Sequence, residues 1–338
     1  MMEYGSDFHV CDFLVGTATL PSRIAGSRRY MSGRGALAAL AQWRGYRRIY
    51  VPSYFCHESV SAIPGVVYYP YAPGEDMVSA IKATGSGRGD AVLVCNYWGL
   101  YTRPDYTGID CEIIEDHTHD LLSRWALQSE AHWCIASLRK TLPIPDGGLL
   151  WSPVGRDLPP QPPVDSRWAS AMEARYRAMD SKRRYLQGEP VDKAAFLESF
   201  GLTEEQFDDE CTSDWSEHTT DIISRLDIDA WYAAKRSNRE ILITSLAPIA
   251  GCDILQPTEA DATPFSLILL FESAGRREQV RRALIAKDIY PAVLWRLPDG
   301  TYDPAGISGR MLSVHCDGRY SAADMRDMAG TLKEILVQ

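Results

Sequence analysis

Apolar strands alternate with helices through residues 33–137, and this alternation is the feature that most limits the possible folds. The segment 90–96 (DAVLVCN) is a continuous apolar run, as expected of a strand that is covered on both faces. A second buried strand leads to Asp116, and a third spans residues 132–137. Strands and helices in this order are typical of βαβ units and of a parallel sheet. We therefore predict an α/β fold whose ligands lie beyond the carboxyl ends of the strands.

The composition is suited to one large α/β domain and a smaller one. The chain has 338 residues, of which 45% are hydrophobic, so it can bury a sizeable core. We expect no membrane span, because no run approaches roughly 18 apolar residues, and we read no signal peptide at the N-terminus. The net charge of −10 argues against nucleic acid and acidic membrane surfaces as partners.

The eight cysteines are scattered along the chain and form no Cys-x-x-Cys motif. Some of them, such as Cys95 and Cys134, lie within apolar strands. This pattern favours free, buried cysteines in a cytoplasmic protein over a disulfide framework or a zinc site.

Polar side chains follow the predicted strands where each strand ends. Asp116 ends one strand, and Lys140 follows the next one in a loop of prolines and glycines. Adjacent side chains of a strand point to opposite faces, so we expect only one of Glu115 and Asp116 to face a ligand. A carboxylate can face the nitrogen of a pyridine ring, and a lysine can form an imine with an aldehyde. These are the groups that proteins supply to pyridoxal phosphate (PLP).

A phosphate site is predicted at the start of a helix in the first third of the chain. Ser32, Gly33, Arg34 and Gly35 precede a run of small and apolar residues at 36–43. Glycines before a helix let backbone N–H groups point at an anion, and the helix dipole favours a phosphate at that end. The fork of donors on Arg34 either clamps the phosphate or turns outward.

These segments, in this order, resemble the fold-type-I PLP enzymes, in particular the DegT/DnrJ/EryC1/StrS aminotransferases that make amino sugars. The resemblance covers most of the chain. It is carried by the stretch 32–37 (SGRGAL), the stretch 51–53 (VPS), Asp116, Lys140 and the Gly-Gly pair at 147–148. It implies a large domain with a mostly parallel central sheet and a small α+β C-terminal domain.

The resemblance also implies roles for single residues. Lys140 would form the imine and then move the proton between the substrate and the cofactor, while Asp116 would pair with the pyridine nitrogen. His119 lies where the family often has a glutamine near the phenolic oxygen. The aromatic that covers the ring falls at Cys56 by direct register, so a neighbour such as Phe55 takes that role. The predicted cofactor-binding set is Gly33, Arg34, Phe55, Cys56, Asp116, His119, Ser137 and Lys140, and the predicted substrate-binding set is Trp98, Arg296 and Arg319.

Domain boundaries and assembly follow from the same resemblance. Residues 1–245 form the predicted large domain, with an irregular N-terminal arm at 1–30, and residues 246–338 form the small one. A single long helix at about 219–246 is expected to link them. The family implies a homodimer with shared active sites, yet its Asn- and Arg-containing loop is missing from the stretch 212–216 (TSDWS).

The predicted function is a PLP-dependent aminotransferase that moves an amino group from an amino acid donor to a keto-sugar or related carbonyl acceptor. One alternative is another PLP reaction on this scaffold, such as dehydration, decarboxylation or substitution, because a fold does not determine chemistry. The unusual residues Arg34 and Cys56 favour some divergence. The other alternative is a non-catalytic regulator that binds PLP or a sugar, against which the presence of both Lys140 and Asp116 argues.

Four local questions remain open from the sequence. His117 and His119 with Asp116 form a possible metal pair, although no further ligand cluster appears. Asp116, Thr118 or His119 alternatively caps a helix. The spacing Ser137-x-x-Lys140 also occurs in penicillin-binding enzymes, whose other motifs this chain lacks. Arg139 either lowers the pKa of Lys140 by like-charge repulsion or points to solvent.

Overall fold

The structure is a computed structural model of the chain. It describes residues 3–11, 15, 16, 24, 26–208, 212–246, 249, 251–259, 262 and 264–337. Within those ranges, no helix combines the length and the apolar character that crossing a membrane requires.

The strands, in chain order, are β1 (Tyr4–Gly5), β2 (Arg28–Tyr30), β3 (Arg48–Pro52), β4 (Val66–Tyr69), β5 (Asp90–Cys95), β6 (Glu112–Asp116), β7 (Trp133–Ser137), β8 (Gly148–Trp151), β9 (Cys252–Ile254), β10 (Leu267–Phe271), β11 (Ile289–Tyr290) and β12 (Met311–Val314). The α-helices are α1 (Gly33–Arg44), α2 (Met77–Ala83), α3 (Arg124–Leu127), α4 (Ser166–Leu186), α5 (Lys193–Glu205), α6 (Glu217–Arg225), α7 (Ile228–Leu246), α8 (Ala274–Ile285), α9 (Ile307–Arg310) and α10 (Ala322–Leu336). Short 3₁₀ turns follow three of the strands, at His57–Ser59, Tyr97–Gly99 and Leu138–Lys140.

The central sheet has seven strands in the order β2-β8-β7-β6-β5-β3-β4. Strands β3 to β7 pair in parallel, whereas β8 runs antiparallel to both of its neighbours, β7 and β2. The apolar run of β5 is buried along its whole length, as its sequence predicts. The predicted α/β fold with a mostly parallel central sheet is therefore confirmed.

The register of the sheet brings the ends of neighbouring strands together. Cys95 at the end of β5 lies opposite Asp116, and Asp116 lies opposite Ile135 of β7. Lys140 is only three residues beyond the end of β7, in the Leu138–Lys140 turn. The predicted carboxylate and lysine therefore lie at the same edge of the sheet, as parallel strands require.

Helix α1 packs across the sheet with its N-terminus at this edge. Its buried face consists of small and apolar residues at helical spacing, among them Gly33, Leu37 and Leu40. The Ser32 side chain caps the helix by accepting a hydrogen bond from the Gly35 N–H at 3.0 Å. The predicted start of this helix is confirmed, and the start points toward the ends of the parallel strands.

Strand β8 approaches the start of α1 so closely that only glycine fits at its first position. A Cβ built on Gly148 would lie 2.1 Å from the backbone carbon and oxygen of Ser32 and 2.6 Å from the Gly33 nitrogen. We expect Gly148→Ala to displace the helix start and to lower the free energy of unfolding by about 1–3 kcal/mol, the usual cost of overpacking. Urea unfolding checks this, with Gly330→Ala as the control because an added Cβ there meets nothing within 4 Å. Equal stability of the two variants would contradict the expectation.

The C-terminal part contains a second, antiparallel sheet in the order β12-β10-β9. Apolar residues of this sheet and of α10 form a core of their own, which includes Leu269, Leu312 and Leu332. Helix α7 spans both cores, since Trp231 packs in the first and Leu242 in the second. The order of strands and helices agrees with the predicted α+β arrangement, while the boundary between residues 245 and 246 stays a prediction.

The single linking helix predicted at about 219–246 is in fact two helices, α6 and α7. Leu226 adopts an extended backbone with ψ of 122°, which ends α6. The Asp227 side chain then accepts a hydrogen bond from the Ala230 N–H at 2.9 Å and thereby caps the start of α7. The helical periodicity continues across this point, but the capping aspartate within it marks the break.

The predicted irregular arm at 1–30 contributes to both ends of the fold. Strand β1 pairs in parallel with β11 of the C-terminal part, and β2 forms the edge of the central sheet. Backbone pairing of this kind leaves little side-chain signal in the sequence, because two or three residues cannot show a period. Residues 1, 2, 12–14, 17–23 and 25 of the arm lie outside the described residues.

Candidate active site

A cavity of about 310 Å³ lies at the carboxyl edge of the parallel strands. Phe265, Leu294 and Trp295 of the C-terminal part form one of its walls. The structure brings together in its lining every residue predicted to hold the cofactor: Gly33, Arg34, Phe55, Cys56, Asp116, His119, Ser137 and Lys140. The roles of these residues stay predictions, but their convergence on one cavity is a fact of the fold.

Lys140 carries the amine of the cavity. Its side chain is 47% exposed, and its Nζ lies 3.8 Å from Glu204 Oε1. The positive charge of Arg139 and then partial burial lower the pKa of Lys140 to about 8, against the opposing effect of Glu204. The like-charge effect expected from Arg139 is thus present. The lowered pKa of Lys140 matters chemically because a larger fraction of its amine is neutral near physiological pH. Only the neutral amine is nucleophilic.

Asp116 presents its carboxyl group to the same cavity from the end of β6. Its Oδ1 accepts two hydrogen bonds from Thr118, one from the backbone N–H at 2.9 Å and one from the hydroxyl at 2.5 Å. Burial raises the pKa of Asp116 despite these bonds. A positively charged ligand group beside the carboxylate would reverse this effect, because it would favour the ionised form.

Thr118, which the sequence singled out only as a possible cap, connects the two strand ends. Its hydroxyl donates to Asp116 and accepts a hydrogen bond from the Ser137 N–H at 2.9 Å. Helix α3 is capped instead by Ser123, whose side chain accepts from the Ala126 N–H. The capping alternative for Asp116, Thr118 and His119 is therefore wrong for the helix that follows them.

His119 is held as a neutral hydrogen-bond donor. Its Nδ1 lies 3.1 Å from the Trp98 backbone nitrogen and accepts that N–H, which assigns the ring proton to Nε2. Burial lowers the pKa of His119 to about 3. The ring stacks on Trp295, with 5.4 Å between centroids and 17° between planes. This tautomer suits the predicted donation of a hydrogen bond, whereas titration near neutral pH is not expected.

Trp98 was predicted to contact substrate, but its side chain lies beneath the cavity wall. It is fully buried and packs edge-on against Tyr54 and Tyr97. Its backbone has a φ of +56°, which is uncommon for a residue with a side chain. Since its N–H holds His119, the residue orients a side chain of the cavity and does not line it.

The helix start and Ser137 form another part of the cavity lining. A Cβ built on Gly33 would lie 3.1 Å from both the Cβ and the nitrogen of Ser137, so these segments are in close contact. The Arg34 guanidinium donates to the Phe207 carbonyl at 2.9 Å. This bond holds Arg34 against the segment after α5 and not in open solvent. The N–H groups of a helix start beside a serine hydroxyl suit a phosphate.

Phe55 and Cys56 both line the cavity, whereas Tyr54 belongs to the core. The Tyr54 hydroxyl donates to the Leu294 carbonyl at 2.9 Å. The Phe55 ring lies 5.5 Å from that of Trp295, so two aromatic rings border the cavity here. Phe55 is thus one of the aromatic residues that line the cavity, and it neighbours Cys56 in the chain.

Comparison with solved structures decides the fold. A putative sugar aminotransferase, Spr1654 from Streptococcus pneumoniae in its PLP form, matches with a TM-score of 0.60 and 12% identity over 96% of this chain and 93% of that one. DesV from S. venezuelae, in complex with a ketimine intermediate, matches with a TM-score of 0.58 and 13% identity over 95% and 91%. A DegT DnrJ EryC1 StrS aminotransferase from Brucella abortus matches with a TM-score of 0.55 and 14% identity over 95% and 92%. No family model and no curated protein matches the sequence.

The chain has the fold of these aminotransferases. The fold-type-I architecture expected from the sequence is therefore confirmed, although the identities are far below the range in which chemistry can be transferred.

On this aminotransferase fold, Arg296 lies in an adjoining cleft of about 590 Å³ that shares Cys56 and Trp295 with the cavity. Arg281 and His57 line the same cleft. Arg296 itself is exposed, and within the described residues no hydrogen bond or ion pair holds it. The two arginines of the cleft outnumber its one carboxylate in the described lining, Glu58, so the cleft is a weakly cationic approach to the cavity. The predicted contact of Arg296 with a substrate anion stays a prediction.

Arg319, the other arginine predicted to bind substrate, lies away from the cavity of the aminotransferase fold. It is 1% exposed and pairs with Asp317 through two hydrogen bonds of 2.8 and 2.9 Å. Its guanidinium also lies 4.2 Å from the centre of the Phe8 ring. These contacts tie the N-terminal segment to the C-terminal part.

The metal alternative involving His117 and His119 does not match the geometry. His117 lies on the other side of β6, where it is fully buried between Glu115 at 2.9 Å and Asp120 at 3.0 Å. Among the described residues, one other set, Glu115, His117 and Cys134, brings potential ligand atoms within 4.8 Å of one another. Those atoms already serve one another as hydrogen-bond partners.

Two features of the site lie outside what the sequence signalled. Glu204 of α5 enters the cavity wall and pairs with Arg139, and Phe207 lies behind it. Neither residue follows a strand or belongs to a motif. In the stretch 212–216, which lacks the family's loop, Ser213 and Ser216 bond to Asp214 and Asp146 and do not line the cavity.

Proposed function

We propose that this chain is a PLP-dependent aminotransferase that transfers an amino group from an amino acid to a carbonyl acceptor. One observation carries the proposal. The amine of Lys140 and the carboxyl group of Asp116 face a single cavity from the ends of adjacent parallel strands, beside the N-terminus of α1. This combination provides a nucleophile, a counter-charge and a phosphate site within one enclosed space.

The residues present fit the cofactor. The start of α1 with Gly33, together with Ser137, would hold the phosphate, and Asp116 would face the ring nitrogen. The raised pKa of half-buried Asp116 supports this fit, because a carboxyl group whose ionised form lacks a cation is complementary to a protonated pyridine. Bound PLP supplies an aldehyde and an electron-accepting ring.

The remaining chemistry would come from side chains of the chain. Lys140, with its pKa lowered to about 8, is a nucleophile and afterwards a base that accepts the substrate proton at Nζ. His119 donates from Nε2 and remains neutral. Phe55, Phe265 and Trp295 exclude water from one side of the cavity.

The decisive experiment is the visible absorption spectrum of the purified protein with PLP, recorded before and after glutamate is added. We expect a band that requires lysine-bound cofactor and that bleaches with glutamate. A band that no amino donor changes would instead favour another PLP reaction on the same scaffold. Absence of any band under all loading conditions would contradict PLP as the cofactor and therefore the proposed function.

That second candidate, a PLP reaction other than transamination, has one observation in its favour. Where the resembling family usually has an aromatic, the cavity has the thiol of Cys56. A thiol does not stack on the ring, and it offers a reactive group that an aminotransferase does not need. Spectral change with glutamate separates the two candidates, and a regulator would bind PLP without any turnover.

The proposal also covers the class of the acceptor substrate and the oligomeric state. We propose a keto-sugar or related carbonyl compound, supported by the sugar aminotransferases among the solved structures of this fold. The cationic cleft with Arg296 fits an acceptor or donor that carries an anionic group. A homodimer is proposed on the resemblance, and a cleft of about 670 Å³ along α1 next to Arg34 and Phe207 offers a surface for it.

Asp116→Asn tests the counter-charge separately from cofactor binding. We expect the variant to retain PLP but to react with glutamate more slowly by on the order of 10²- to 10³-fold, because the developing charge loses its electrostatic partner. Stopped-flow absorbance measures this rate. Asp110→Asn is the matched control, since Asp110 is exposed in the loop before β6. Wild-type rates in Asp116→Asn would show that the carboxylate does not act on the ring.

A further inference from the structure

The wall of the cavity beside Lys140 contains an arginine pair that holds one carboxylate. Arg139 donates to both oxygens of Glu204, at 2.8 and 3.0 Å, and Arg175 of α4 lies 3.3 Å from the same group. Burial disfavours the ionised form, but the charges of Arg139, Lys140 and Arg175 outweigh it and lower the pKa of Glu204 to about 2. Glu204 is therefore an anion throughout the physiological pH range.

The two arginines are fixed independently of Glu204. The Arg139 guanidinium lies 3.9 Å from the centre of the Phe207 ring, in a cation–π contact. Arg175 donates to the Thr203 hydroxyl at 3.1 Å and to Asp7 at 3.2 Å. Their side chains are 11% and 7% exposed. If the carboxylate left, both cations would keep supporting contacts in the same place.

Glu204 is the exposed member of the cluster. Its side chain is 47% exposed, so water already reaches it, in contrast to the arginines. It lies in the last turn of α5, where the helix dipole disfavours a negative charge and where no basic residue stands on the helix itself. The arginines thus stabilise the Glu204 carboxylate, whereas the dipole of its own helix destabilises it.

The charges and the hydrogen-bond donors around Glu204 would allow the arginine pair to bind another anion. Three cations, Arg139, Lys140 and Arg175, lie within 4 Å of the Glu204 carboxylate. The other carboxylate paired with one of them is Asp7, which lies 3.2 Å from Arg175. The Nε of Arg139 is buried and has no hydrogen-bond partner within the described residues. A buried N–H without an acceptor is costly, and an oxyanion that is not attached to α5, as Glu204 is, can be placed to accept from it.

We propose that Arg139 and Arg175 form an oxyanion-binding site in the cavity wall, which Glu204 occupies until an oxyanion of a ligand replaces it. The ligand group is either the phosphate of the cofactor or a carboxylate of the substrate, since both are oxyanions and Arg139 lines the cavity proposed to hold both molecules. The assignment of those two sources rests on the proposed function. The existence of the site does not.

The test begins with protein that contains no PLP. Isothermal titration calorimetry with inorganic phosphate, and separately with glutarate, compares the wild type with Glu204→Gln. We expect the variant to bind about tenfold more tightly, as for a site that its own side chain occupies for roughly nine-tenths of the time. Glu204→Asp keeps the charge but withdraws it by one methylene, so a smaller gain is expected. Glu204→Asp also tests the proposal if Glu204→Gln does not fold.

Two controls separate the site from a general effect of charge. Glu205→Gln makes the same change at the next, exposed residue and should bind like the wild type. The double variant Glu204→Gln/Arg139→Gln should lose the gain, because half of the arginine pair is gone. Unchanged affinity in both Glu204 variants would overturn the proposal. So would an equal gain in Glu205→Gln or a full gain in the double variant.

Repeating the glutarate titration with PLP-loaded protein identifies the source of the oxyanion. If the gain disappears when PLP is present, the cofactor's phosphate occupies the site; if it persists, a substrate carboxylate does. Both outcomes support the site. If PLP fails to bind at all, the proposed function falls, whereas the titrations without PLP still decide whether the arginine pair binds oxyanions.

Discussion

Lys140→Ala is expected to abolish the visible absorption band with PLP and to slow the reaction with glutamate by on the order of 10⁴-fold. The variant removes both the nucleophile and the base, and general-base catalysis alone contributes roughly 10²- to 10⁴-fold. The position supports this assignment, since Nζ faces the cavity and the charge of Arg139 helps to lower the pKa of Lys140 to about 8. Absorption spectra and single-turnover rates measure the two effects.

The control for that experiment is Lys287→Ala, which removes an exposed lysine after α8. It should keep both the band and the wild-type rate. If Lys140→Ala retained the band, another amine would have to provide it. Buried Lys235 would then be the first residue to examine, because burial lowers its pKa to about 8 as well. Such a result would contradict the assignment of Lys140 without removing PLP from the proposal.

The sequence allowed the cavity to be predicted because its main residues follow from chain-local rules. Asp116 and Lys140 come directly after apolar strands, and parallel strands necessarily end at one edge. Gly33 opens a helix whose capping residue, Ser32, is also visible in the sequence. For these residues, strand period and helix capping determine the position, and no knowledge of distant contacts is needed.

The rest of the site depends on contacts that no local pattern records. Glu204 reaches the cavity because α5 packs against α4, and a charged residue in an amphipathic helix gives no sign of its partner. Trp98 follows a strand and was therefore assigned to the ligand, yet its positive φ turns the backbone toward His119 and buries the ring. Arg319 was similarly misplaced, because its pairing with Asp317 and Phe8 arises from tertiary packing.

The largest effect on stability is expected from His117→Ala. This histidine is fully buried between Glu115 and Asp120, and Glu115 also accepts hydrogen bonds from Trp125 and Ser129. Removing the imidazole leaves buried carboxylates without their cation, which typically costs about 3–5 kcal/mol of unfolding free energy. Urea unfolding at pH 6 measures it. His132→Ala is the control, since it removes a half-buried ring that accepts one N–H from Ile113, worth about 1 kcal/mol.

Because of the same network, the unfolding free energy that His117→Ala loses depends on pH. Burial disfavours the charged imidazole, but Asp120 and Glu115 outweigh it and raise the pKa of His117 well above 6.5. Its contribution to stability is therefore complete below the unfolded pKa of 6.5 and is lost as pH rises through the folded value. Burial likewise opposes the ionised Glu115, but its bonds to His117, Ser129 and Trp125 lower its pKa below 4.5, so its contribution is complete above 4.5 and is lost as pH falls through the folded value.

Both contributions are fully present between pH 4.5 and 6.5, and there the difference between wild type and His117→Ala should be largest. The difference should shrink toward alkaline pH, where the wild-type imidazole loses its proton and the two proteins come to share the same uncompensated carboxylates. A difference that stayed constant from pH 6 to pH 10 would mean that His117 stabilises this side of the sheet by packing alone. Side-chain packing, and not the buried charges of Glu115, His117 and Asp120, would then hold the strand that carries Asp116 in position.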